Sequence, residues 1–113
     1  MKKSHKKMDN AVRIALTDVC QEALVAVTGF QWLTHFADYS SFPSSLSVVC
    51  VFDTDNNLSC ALNGLNDDYL RNLIKEKLSA ANIEIRDIRQ HVSFDTEEAC
   101  KRQNGGKWNE RFS

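Results

Sequence analysis

The chain has 113 residues and a net charge of −1, with 42% hydrophobic and 26% charged side chains, which suits one globular domain with a single core. No apolar run nears the roughly 18–20 residues that a bilayer span needs. The lysines at its start lead into an amphipathic segment rather than an apolar stretch with a cleavage site, so no membrane contact is expected and a cytoplasmic location is.

Residues 1–8 are polar and basic, a disordered arm or frayed helix start, which leaves 9–113 as one domain. Asp9 or Asn10 can cap a long helix running to about Val27, in which Val12, Ala15, Leu16, Val19, Cys20, Ala23, Leu24 and Val27 recur at helical spacing. Gly29 ends it. Phe30, Trp32, Thr34 and Phe36 alternate as a strand would, although a short helix over 30–36 stays open. After a loop with the chain's single proline, Pro43, Leu46 to Asp53 reads as a strand apolar on both faces, hence central. Residues 53–57 read as a tight turn into Leu58–Leu62, a hairpin partner that sets Cys50 nearly opposite Cys60. Asn66 or Asp67 opens a second amphipathic helix to about Ala81, with Asn82 beyond it as C-cap. Ile83 to Phe94 reads as a long, bulged strand. Asp95, with Glu98 three residues on, starts a last short helix in capping-box fashion. Gly105-Gly106 closes that helix, and Trp108 and Phe112 follow one helical turn apart. The predicted order is α-β-β-β-α-β-α: an α+β fold with a single mixed sheet of about four strands and two long helices packed on it.

Charge is segregated along this order. Residues 1–13 carry +4, residues 14–70 carry −7 without one Lys or Arg, and residues 71–113 carry +2. An acidic middle between basic ends suits self-association or a basic partner, and it disfavours laying the middle on a phosphate backbone. Cys20, Cys50, Cys60 and Cys100 form no C-x-x-C pair and sit among apolar neighbours, as small hydrophobes in a reducing compartment do. Neither a phosphate-loop nor a dinucleotide fingerprint occurs, so no cofactor and no metal is expected.

Chemistry concentrates in two echoing segments. Phe52-Asp53-Thr54 and Phe94-Asp95-Thr96 end strands 42 positions apart, and if those strands are neighbours their carboxylates emerge close together. Paired carboxylates can hold a hard divalent cation for phosphodiester cleavage. The element order resembles the core of restriction-endonuclease-like nucleases, in which Asp53 would be the first acid; residues 58–62 supply neither the second acid nor the lysine. Turn and cap duty is the competing role for both Asp side chains. His91, Ser93 and Asp95 share one strand face, but His91 and Asp95 lie roughly 13 Å apart along an extended chain. Asp53, His91 and Asp95 are therefore the candidate polar site. Nucleic-acid contact, the other candidate chemistry, falls to Lys2, Lys3, Lys6 and Lys7 in the arm and to Arg71, Lys75, Arg86 and Arg89, the last four within a helix-turn-helix reading of 70–93.

The stretches 29–35, 48–54, 91–98 and 106–112 (Gly-Phe-Gln-Trp-Leu-Thr-His, Val-Val-Cys-Val-Phe-Asp-Thr, His-Val-Ser-Phe-Asp-Thr-Glu-Glu and Gly-Lys-Trp-Asn-Glu-Arg-Phe) together resemble a family of small bacterial proteins commonly described as Fis-family transcriptional regulators. The resemblance covers nearly the whole chain. It implies little about function and assigns no functional residue. The expected function is a non-enzymatic interaction or regulatory module, homo-oligomeric, with a nucleic-acid-associated regulator and a metal-dependent phosphoesterase as alternatives.

Overall fold

A computed structural model describes residues 2–113. The fold is α+β, with one three-stranded mixed sheet and five helices. In chain order these are α1 (Lys3–Ala26), β1 (Phe30–Phe36), β2 (Ser47–Phe52), α2 (Asp55–Asn63), α3 (Asn66–Ala80), β3 (Val92–Thr96), α4 (Glu97–Asn104) and α5 (Trp108–Arg111), with short 3-10 turns at Tyr39–Ser41 and Ile88–Gln90. No helix among the described residues is long and apolar enough to cross a membrane.

β2 is central, as its two apolar faces require. It pairs antiparallel with β1, setting Trp32 beside Val51 and Leu33 beside Cys50, and parallel with β3, setting Cys50 beside Phe94 and Phe52 beside Thr96. One face of β2 (Val48, Cys50, Phe52) packs into a core with Val12, Leu16 and Val19 of α1 and Leu70, Ile74 and Leu78 of α3. The α2–α3 crossover makes the parallel β2–β3 pair possible, since parallel neighbours need a long connection. The other face (Val49, Val51) is covered from the C-terminal end. There Trp32 meets Trp108 edge-on at 4.8 Å between ring centres, and Phe36 meets Phe112 at 5.1 Å.

Several expectations are corrected. Leu58–Leu62 is not a strand: Thr54 Oγ1 accepts from Asn57 N at 3.0 Å and caps α2 instead, so Leu58 and Ala61 turn inward at helical spacing. Cys60 is therefore exposed on a helix while Cys50 is buried in β2, and the two do not face each other. The sheet has three strands rather than about four. The long strand over Ile83–Phe94 is also broken. Asn82 takes positive φ (64°) and Ile83 N donates back to Leu78 O, closing α3. Asp87 then accepts from Arg89 N and starts a 3-10 turn, so only Val92–Thr96 joins the ladder. That turn replaces the recognition helix of a helix-turn-helix over 70–93. Helix α1 begins at Lys3, before the expected Asp9 cap, and the Asp9 carboxylate bonds Tyr39 Oη at 2.5 Å and His35 Nε2 at 3.1 Å instead. The last short helix, α4, is capped by Thr96 rather than Asp95, through Ala99 N donating to Thr96 Oγ1 at 2.9 Å.

Candidate functional site

Because β2 and β3 run parallel, their carboxyl ends lie side by side and each feeds straight into a helix. This is the edge at which open α/β sheets place their ligands. Both Phe-Asp-Thr echoes are here, and their threonines do the same work: Thr54 caps α2 and Thr96 caps α4. The two helix starts are also laced together. Glu98 N donates to Asp53 O at 3.1 Å, Asp55 N donates to Glu98 Oε1 at 3.1 Å, Thr96 Oγ1 donates to Asp55 Oδ1 at 2.5 Å and Arg102 pairs with Asp55 at 2.9 Å. Thr96 first, and Arg102 after it, hold the Asp55 carboxyl below its ordinary value.

The two carboxylates of the candidate site share this edge and have separate partners. Asp53 Oδ1 accepts from Asn57 Nδ2 at 2.9 Å and from Thr54 N at 2.7 Å, and the Asn57 bond chiefly holds its pKa down. Asp95 takes a forked pair of bonds from Arg111, Nε at 2.6 Å and Nη2 at 2.9 Å, a geometry that satisfies both carboxylate oxygens. Arg111 thereby ties α5 to β3, and Asp95 raises its pKa further. Among the described residues, no three His, Cys, Asp or Glu side chains converge as metal ligands. His91 is at the opposite end of β3, where its Nδ1 lies 2.6 Å from Leu46 O.

Sequence reasoning missed Glu97, Trp32, Trp108 and Arg111. The Glu97 carboxylate accepts from Trp32 Nε1 at 2.6 Å and from Trp108 Nε1 at 3.0 Å, so one anion joins the first strand to the last helix. Beside it a cleft of about 450 Å³ is lined by Asp53, Glu97, Glu98, Lys101, Gly105 and Gly106. Only the aromatic spacing of Trp108 and Phe112 hinted at this junction. It also missed a second cluster, at the start of α1, where Asp9 receives Tyr39 and His35. Tyr39 first and His35 next lower the Asp9 pKa; burial, and then the Asp9 anion, raise that of Tyr39.

The basic candidates do not form one surface. Lys2, Lys3, Lys6 and Lys7 are exposed on or just before the first turns of α1. Arg71 bonds Asp67 at 2.7 Å and Asp68 at 3.2 Å while lying 5.1 Å over the Phe94 ring. Arg89 also pairs with Asp68, at 3.1 Å. Lys75 and Arg86 are exposed. Comparison of the chain with protein-family models, with curated proteins and with solved structures returns no match.

Proposed function

We propose that this protein is a non-enzymatic interaction module that works as a homodimer, two copies joining their β1 edges antiparallel into one continuous sheet. The observation that carries the reading is β1 itself. It pairs with β2 on one side only, and its seven residues, Phe30–Phe36, include no Lys, Arg, Asp, Glu or Pro. Edge strands that must stay single are guarded by such residues.

An isologous two-fold pairing centred on Leu33 sets Trp32 against Thr34 across the new strand pair, an aromatic with a β-branched residue. One strand pair is short of the roughly 1,200 Å² that a stable interface buries, and the flank of α1 beside the edge supplies more. A cleft of about 380 Å³ runs between β1 and α1, lined by Arg13, Leu16, Thr17, Cys20, Leu33 and His35 among others, and Ile14 next to it is 67% exposed. Arg13 and Asp18 on that flank give two antiparallel helices opposite charges to exchange.

Sedimentation equilibrium tests it. The wild type is expected to dimerise with micromolar affinity. Thr34→Lys, which places a charge mid-edge, is expected to weaken dimerisation by about tenfold or more with the circular dichroism spectrum unchanged. A monomer at high concentration refutes the proposal. The exposed lysines of α1 favour a second reading, an anionic partner such as nucleic acid. A gel shift at low salt that weakens steeply as salt rises, and that is lost on replacing Lys3, Lys6 and Lys7 by Gln, would support it.

A further inference from the structure

His91 is tethered twice to the start of β2. Its carbonyl accepts from Val48 N at 2.7 Å and its ring Nδ1 lies 2.6 Å from Leu46 O. A carbonyl oxygen can only accept, so the ring hydrogen is on Nδ1, and in the neutral imidazole Nε2 is left as a bare acceptor. Among the described residues Nε2 has no partner. The ring borders a cleft of about 410 Å³ whose other walls are Pro43, Ser44, Glu84, Ile85 and Arg86.

Pro43 and the buried Ile85 give the cleft apolar walls. Glu84 also lines the cleft, and its Oε1 accepts from Ser79 Oγ at 2.8 Å. Arg86 pairs with no carboxylate among the described residues, whereas Arg71 is engaged by Asp67 and Asp68 and Arg89 by Asp68. The cleft thus combines an apolar slot, a free guanidinium at its rim and a hydrogen-bond acceptor of fixed tautomer, the few convergent polar groups that orient a small ligand. A neighbouring cleft of about 480 Å³ shares Pro43 and Glu84 and leaves space for a longer tail.

We propose that this cleft binds a small, largely apolar carboxylate carrying an O–H or N–H donor, its anion on Arg86 and its donor on His91 Nε2. The site goes beyond self-association through β1 and does not depend on it.

Three probes separate the parts: 4-hydroxybenzoate has both groups, benzoate lacks the donor and 4-hydroxybenzyl alcohol lacks the anion. Titrated into protein with ¹⁵N-labelled histidine in mildly alkaline buffer, 4-hydroxybenzoate is expected to bind about tenfold more tightly than either of the others, the worth of one polar contact. It should also move the His91 Nε2 resonance toward the hydrogen-bonded range. Arg86→Gln, an exposed position, should erase the preference for 4-hydroxybenzoate over 4-hydroxybenzyl alcohol and keep that over benzoate. The proposal is overturned if the free protein has its ring hydrogen on Nε2, if no probe moves the His91 signals at millimolar concentration, or if 4-hydroxybenzoate and benzoate bind alike.

Discussion

Replacing Thr96 by valine keeps the side chain's volume and removes only its hydroxyl. Thr96 is 1% exposed, the one buried polar side chain among the described residues. Its Oγ1 accepts from Ala99 N, a fully buried bond at 2.9 Å, and donates to Asp55 Oδ1. Valine leaves the Ala99 N–H without a partner and out of reach of water. Losing a cap costs about 1 kcal/mol, and a stranded buried donor brings the total to about 2–3 kcal/mol. Thr54→Val is the internal control. Thr54 Oγ1 also caps a helix, but Asn57 N is only partly buried and water can replace the hydroxyl, so about 1 kcal/mol is expected. Urea unfolding at neutral pH reads both as shifts of midpoint at constant slope. The acid limb gives a second reading. Thr96 helps hold the folded pKa of Asp55 below 3.8, so its contribution is present above that value and lost as the pH falls through the folded pKa. Thr96→Val should therefore flatten the acid loss of stability. Equal losses for the two variants, or a Thr96→Val loss below about 0.5 kcal/mol, would refute the reasoning.

Gly29→Ala should cost more than about 2 kcal/mol by thermal or urea unfolding, because φ is +87° and the new Cβ would lie 2.6 Å from Asn57 Cβ and 2.9 Å from Asp53 Oδ1. Tyr39 should ionise only well above its ordinary 10 in an ultraviolet titration. Stability from this raised value is present below pH 10 and fades as the pH climbs toward the folded pKa, and Asp9→Asn should bring the titration down. Cys60, exposed, should react quickly with a thiol reagent at neutral pH, while Cys50, fully buried and pushed up to about 12, should react only on unfolding. Ile74→Ala, at a fully buried core position, should cost about 2–5 kcal/mol.

What the sequence made legible was periodicity. The helical stripe from Val12 to Val27, the two-faced strand around Val48–Phe52 and the helix over 66–80 all follow from apolar spacing alone, and burial drives each of them. It failed where a side chain's hydrogen bond outweighed a short apolar pattern. Leu58–Leu62 alternates like a strand, yet Thr54 three residues before Asn57 decides for a helix. Between Ile83 and Phe94 the apolar residues do turn inward, but Asn82 and Asp87 spend the backbone on turns, and inward-facing Ile83 and Ile85 are no signal of ladder pairing. The Glu97 clamp could not be found by spacing, since its indole partners lie 65 and 11 residues away.

The fate of the twin acids bears on where function resides. Asp53 and Asp95 came forward because two carboxylates at adjacent strand ends can share a cation, and the strands are indeed adjacent. Each carboxylate nevertheless has its own donors, Asn57 for one and the Arg111 fork for the other. A cation would have to displace a charge-assisted pair that also anchors α5, so ligation there would loosen the cover over Val49 and Val51. A group held ready for a ligand shows the reverse pattern: its orientation is fixed by one bond and its reactive atom is left without another. His91 fits that description at the far end of the same strand. β1 fits it in part in main-chain terms, with a strand partner on one side only. Functional tests therefore belong at these two places before the acidic edge formed by the two Phe-Asp-Thr segments.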